Sequence, residues 1–214
     1  ELRVILCYIE GIPDAAHFLA AARRAYDNGK TVVAVKIGAS EAARTFALAH
    51  TGSLAGTTEI FEAFAATAGV VRLVSIEDAI EAVEFLARSR RPRGPNIAVV
   101  TNSGALRNLI VEAADRTDAT LVSLSETTRE ALRQVLGQAD ITNPLDTKRT
   151  IPPGQYVACL DALVNAHEVE SILVAEELPR DDGAERRVAN LRSLEDVSLR
   201  AAVLGKPVAA FTPF

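Results

Sequence analysis

The sequence predicts an α/β fold of two parallel-sheet domains, and three observations carry that expectation. Short β-branched runs alternate with longer segments of helical period along all 214 residues. The alternation is interrupted at the turn-rich run "RSRRPRG" from Arg88 to Gly94, and then restarts. Apolar residues make up 49% of the chain, enough for a buried core in each half.

The elements follow in order. "RVILCYIE", Arg3 to Glu10, is a continuous apolar run bounded by a glycine, which reads as a buried strand. The next segment, "PDAAHFLAAARRAYDNG", puts Phe18, Leu19, Ala22 and Tyr26 on one helical face and stops at Gly29. "KTVVAVKIG" is a second strand. Beyond the stretch "ALAHTGSLAG" (Ala47 to Gly56), "TTEIFEAFAATAG" gives a helix with Ile60, Phe61 and Phe64 inward. "VVRLVS" is then a strand and "IEDAIEAVEFLARS" a helix. Strands joined through helices run parallel and are covered on both faces.

Past the Arg88 to Gly94 linker the pattern resumes with "NIAVVTNSGALRNLIVEAAD", a strand running through a tight turn into a helix. "ATLVSLS" is a strand and "SETTREALRQVLG" a helix with Ser125 as N-cap. The run "QADITNPLDTKRTIPPGQ" is expected to be irregular, since Pro144, Pro152 and Pro153 oppose regular structure. After it come the helix "QYVACLDALVNAH", the strand "VESILVAEE", a helix ending near Gly205 and a last strand, "PVAAFTP". The domains are therefore set at residues 1–91 and 92–214. The first is too short for a complete α/β domain, and the chain starts at Glu1 with no methionine anywhere, so it is expected to be a piece of a longer protein.

Charge and cysteine usage narrow the function classes. A formal net charge of −5, with both signs interspersed, argues against nucleic acid as partner, because phosphate backbones are bound by a concentrated basic face. No apolar run approaches the roughly 20 residues of a membrane span, and no signal peptide is visible. Cys7 and Cys159 lie in apolar runs without C-x-x-C spacing, which suits buried free thiols in a reducing cytoplasm.

Three places can carry chemistry, because ligands of parallel α/β sheets bind beyond the carboxyl ends of the strands. Glu10 closes the first strand, either as a loop acid in water or as a poised carboxylate. Asn102, Ser103 and Gly104 present backbone N–H groups at the opening of a helix, whose dipole favours a phosphoryl group, although a Ser-Gly cap serves any such turn. His50 stands before Thr51, Gly52 and Ser53, among small and hydroxyl-bearing residues, and histidine serves as base, metal ligand or covalent carrier. His17 and His167 have no ligand spacing relative to it, so no metal site is expected. A serine hydrolase lacks its G-x-S-x-G turn.

The segments "YIEGIPDAAHFLAAARRA", "VVAVKIGASEAARTFALAHTGSLAGTTEIFEAF", "AVVTNSGA" and "NPLDT", in that order, resemble the NDP-forming (ADP-forming) acyl-CoA synthetases, relatives of succinyl-CoA synthetase. The resemblance implies two flavodoxin-like three-layer domains, the first truncated at its N-terminus. It also implies an acid-CoA ligase that forms acyl-CoA from a carboxylic acid, CoA and ATP, releasing ADP and phosphate through an acyl phosphate and a phosphohistidine. The phosphohistidine falls on His50 and its bracing glutamate on Glu10; Thr51, Gly52, Ser53, Asn102, Ser103 and Gly104 become phosphate contacts. CoA and ATP with Mg2+ would be bound mainly outside these residues, by a CoA-binding domain upstream and an ATP-grasp module in cis or on a partner subunit. Two departures stand out: Ala39 where the family often has arginine, and Ala105 where it often has a second glycine. Related domains fused to protein acetyltransferases offer the alternative of a non-catalytic binding or regulatory module.

Overall fold

The computed structural model describes residues 2–38, 58–148, 151–176 and 184–211. They fall into two compact units, Glu1–Arg88 and Ser89–Phe214.

In the first unit the described strands are β1 (Val4–Ile9), β2 (Thr31–Lys36) and β3 (Val71–Leu73), and the helices are α1 (Ala15–Asp27), α2 (Thr58–Ala68) and α3 (Ile76–Arg88). The strands form a parallel sheet in the order β1-β2-β3. Side chains of a strand alternate between faces, and β2 shows the result. Val32 and Ala34 join Ile9, Ala22, Phe61 and Ala65 in one core, while Val33 and Val35 join Ala79, Val83 and Leu86 in another. Both faces of β2 are thereby dry, which is why it reads as an unbroken apolar run. Asp14 starts α1 by accepting a hydrogen bond from the His17 N–H at 2.9 Å, and Gly29 follows its end at φ +69°. Tyr26, expected on the inner face of this helix, is 54% exposed, and in this last turn it is Ala25 that packs against the core.

The second unit contains β4 (Asn96–Thr101), α4 (Gly104–Ala114), β5 (Thr120–Leu121), α5 (Glu126–Leu136), β6 (Leu145–Asp146), α6 (Pro153–Asn165), β7 (Ser171–Ala175), α7 (Ala184–Val203) and β8 (Val208–Phe211). All described pairings are parallel, in the order β5-β4-β7-β8 with β6 also on β4. Because β7 pairs along β4 from Ile97 to Thr101, β5 and β6 share the other edge, β5 at its start and β6 at its end. Asn143 fills the space between them: its Oδ1 accepts from Val99 N–H at 2.8 Å, and its Nδ2 donates to Ile97 O at 2.7 Å and Val122 O at 3.0 Å. A side-chain amide here does the work of a missing strand residue.

The main core lies on one face of this sheet, where Ala98 and Val100 meet Leu132, Tyr156, Leu160, Leu163 and Val197; Val99 packs with Leu106 and Ile110 on the other. Burying each leucine is worth roughly 1.5–3 kcal/mol. Two sequence expectations change here. The stretch expected to be irregular contributes β6, and Pro153 opens α6 instead of opposing it, since the first turn of a helix has no use for the N–H that proline lacks. Ser125 caps α5 as expected, its hydroxyl accepting from Thr128 N–H at 3.3 Å. Cys7 and Cys159 are free thiols, the first half-buried and the second fully buried.

Candidate active site

In the first unit the carboxyl end of the sheet is formed by Glu10, just past β1, and Lys36, the last residue of β2. Ile9 and Lys36 are register partners, and the last ladder bond runs from Ile37 N–H to Ile9 O at 3.0 Å. Lys36 is only 9% exposed. Its ammonium donates to two main-chain carbonyls, Glu10 O at 2.7 Å and Ile37 O at 2.6 Å. Burial lowers the Lys36 pKa, and the negative charge of Glu10 works in the opposite direction. The Glu10 side chain is exposed. It borders an open cleft of about 610 Å³ whose lining includes Ile9, Ile12, Asp14, His17 and Phe18. Asp14 is already engaged in capping α1, which leaves Glu10 as the acid of this cleft not committed to a helix end.

Past Ile37 the chain turns at Gly38, whose φ of +78° suits a residue without Cβ. His50, Thr51, Gly52 and Ser53, and also Ala39, lie outside the described residues.

In the second unit the turn after β4 holds Asn102, Ser103 and Gly104. Ser103 is the N-cap of α4, its Oγ accepting from Leu106 N–H at 3.5 Å, so one lone pair of its hydroxyl serves the helix. The fully buried Thr101 fixes the turn from below: its Oγ1 accepts from Ser103 N–H at 3.2 Å. Ala105 is exposed, so its methyl group points away from the packed interior of the unit.

A carboxylate missed by the sequence reading stands beside this turn. Asp146 ends β6 as the register partner of Thr101. Its Oδ1 accepts from Lys148 N–H at 2.7 Å, and its Oδ2 lies 4.0 Å from the place a Cβ on Gly104 would occupy. An anion there draws on the positive end of α4 and opposes a second anion at the same N–H groups. Thr147, 2% exposed, holds the other side by donating from its N–H and Oγ1 to Thr101 O at 2.8 and 3.2 Å. The next strand end carries Glu176, whose carboxyl is pushed up by burial against the opposing influence of the Tyr156 hydroxyl. "NPLD" was legible as a pattern, yet nothing local in it tells that Asp146 returns to β4. Lys36 escaped because a lysine closing an apolar strand reads as its solvated end.

Among the described residues no group of three or more His, Cys, Asp or Glu is arranged to hold a metal ion, and no helix is long and apolar enough to cross a membrane.

Comparison with known proteins brings these features together. Residues 1–86 match the family described as succinyl-CoA ligase like flavodoxin domain. The chain is 32% identical over 178 residues to a trans-feruloyl-CoA synthase from an unknown prokaryotic organism, across 82% of this chain and 25% of that protein. It is 30% identical over 214 residues to the alpha subunit of acetate–CoA ligase (ADP-forming) II of Pyrococcus furiosus, across 98% of this chain and 45% of the subunit. The solved structure of a dinucleotide-forming acetyl-coenzyme A synthetase 1 from Ca. Korarchaeum cryptofilum, in complex with phosphate and ADP, superposes with a TM-score of 0.84 at 24% identity, over 98% of this chain and 45% of that one. The last likeness establishes the α/β architecture with two parallel sheets. The chain spans less than half the length of each of these three proteins.

Proposed function

Because the chain belongs to the ADP-forming acyl-CoA synthetase family, through a succinyl-CoA ligase-like flavodoxin domain at residues 1–86, we propose that it serves an acid-CoA ligase in which His50 carries the phosphoryl group. One imidazole nitrogen attacks the γ-phosphorus of ATP, the bond to the bridging oxygen breaks and ADP leaves. The phosphoryl group passes to a carboxylate, giving an acyl phosphate and restoring the imidazole. The CoA thiolate then attacks the acyl carbon and inorganic phosphate departs. Glu10 accepts a hydrogen bond from the second imidazole nitrogen, which fixes the tautomer and offsets the positive charge on the phosphorylated ring.

The observation that carries this reading is the position of Glu10: an exposed carboxylate at the carboxyl end of a parallel sheet, at the edge of a cleft, on a main chain tied to the strand that leads toward His50. Thr51, Gly52 and Ser53 are assigned to the phosphate beside the histidine, and Asn102, Ser103 and Gly104 to phosphate binding in the second unit. The nucleotide with its Mg2+, and CoA, are assigned to an ATP-grasp module and a CoA-binding domain beyond these residues.

The test is phosphorylation of the full-length protein with γ-labelled ATP. An acid-labile, base-stable label that disappears in His50→Asn and forms at least about tenfold more slowly in Glu10→Gln is expected. Undiminished label in His50→Asn would refute the carrier. The alternative, a non-catalytic binding module of a protein acetyltransferase, predicts no histidine label at all.

A further inference from the structure

Lys36 has no part in the chemistry described so far, yet its ammonium is buried and committed to two main-chain carbonyls. Strand β2 is dry on both faces, and a lysine ending it must be desolvated down to 9% exposure. Burying an ammonium is unfavourable unless its protons are satisfied, and an aliphatic residue would fill the same space without that penalty. What the ammonium obtains is specific: one carbonyl from each of two neighbouring chain segments, just beyond the point where their ladder ends. At the carboxyl end of a parallel sheet the strands part company: the last ladder bond joins Ile37 N–H to Ile9 O, and beyond it no main-chain bond among the described residues holds the carbonyls of Glu10 and Ile37 together. The Lys36 ammonium does so, with two short charge-assisted bonds.

We infer that Lys36 is a positioning residue, a clamp that joins the main chain at Glu10 to the main chain at Ile37 and so sets where the Glu10 carboxylate stands. Its charge also lies close enough to that carboxylate to interact with it. The inference rests on the reading of Glu10 given above. Lys36 itself touches no reacting atom; it acts through Glu10. Displacement of a bracing group by about 1 Å can slow a reaction by roughly a hundredfold, so the effect of losing the clamp is measurable.

The experiment is a double-mutant cycle on the full-length protein, with rate of histidine labelling as readout and thermal unfolding as a check on folding. Lys36→Met is expected to slow labelling by about tenfold to a hundredfold with the KM for ATP unchanged, and Lys36→Gln, which keeps donors but not the charge, to fall between it and the native protein. In the Glu10→Gln background the penalty of Lys36→Met is expected to shrink to less than about twofold, since the group it positions is already disabled. A penalty that persists in that background marks Lys36 as merely structural and overturns the inference, as does native-rate labelling by Lys36→Met and Lys36→Gln. If Lys36→Met does not fold, Lys36→Gln carries the cycle. Native-rate labelling by Glu10→Gln alone overturns the reading of Glu10 and the inference with it, whereas slow labelling by Glu10→Gln with additive penalties overturns the inference only.

Discussion

Glu168 shows how much a single side chain can depend on its donors. It is 11% exposed, and burial alone would raise its pKa, yet the Ser125 N–H at 2.7 Å and the Thr128 hydroxyl at 2.8 Å hold it down to about 2. A carboxyl lowered on folding contributes stability above its ordinary pKa and loses it as pH falls toward the folded value. The window is therefore from about 4.5 down to about 2. Glu168→Gln is expected to lower stability at neutral pH by roughly 2 kcal/mol and to flatten the acid limb across that window, read by urea unfolding at a series of pH values. An equally steep acid limb in the variant would assign it to other groups. Asp146 poses the opposite case, an anion beside a turn proposed to meet phosphate. Asp146→Asn is expected to tighten binding of inorganic phosphate at low ionic strength by about fivefold, the effect of roughly 1 kcal/mol of repulsion removed, and unchanged or weaker binding in calorimetry would detach the turn from that role. Sequence made Ser125 legible because its partner lies three residues away. The environments of Lys36, Asp146 and Glu168 are set by residues distant in the chain, and no local pattern encodes them.

At the scale of elements, the helices were read more accurately than the strands. A helix makes its own hydrogen bonds, so cap and period delimit it, and Asp14, Ser125 and Gly137 do so here. A strand extends only as far as its neighbour does. "ATLVSLS" has the composition of a full strand but pairs only at Thr120 and Leu121, because β6 takes the rest of the β4 edge. Asn143 makes that division possible, so its loss should be felt by the whole second unit. Asn143→Ala is expected to destabilise it by about 2–4 kcal/mol, leaving polar backbone groups of β4 and the Val122 carbonyl without their partner. Asn143→Asp keeps the acceptor for Val99 N–H but sets a carboxylate against two carbonyls, and is expected to be at least as damaging. Losses under about 1 kcal/mol for both, measured by denaturant unfolding, would reduce Asn143 to a space filler.

On the scale of the whole molecule, two parallel sheets were legible from the alternation of apolar runs and helical segments, since that pattern leaves few other ways to bury both faces. The chain divides at Arg88 and Ser89, where the arginine-rich run begins. The chemistry around His50 was legible as residue types and through the family resemblance, and those residues lie outside the described ones. Separate cores carry one further consequence, through the two sulfur atoms. Cys7 is half-buried in the first unit, while Cys159 is 0% exposed in the second and raised by burial to about 12. Alkylation of the 214-residue chain, followed peptide by peptide in a mass spectrometer, should mark Cys7 early and Cys159 at least about a hundredfold more slowly, only when the interior around it opens. Equal labelling of both would mean that the interior around Cys159 opens readily, whereas staggered labelling makes Cys159 a built-in timer for the second half of the chain, with Cys7 as its internal reference.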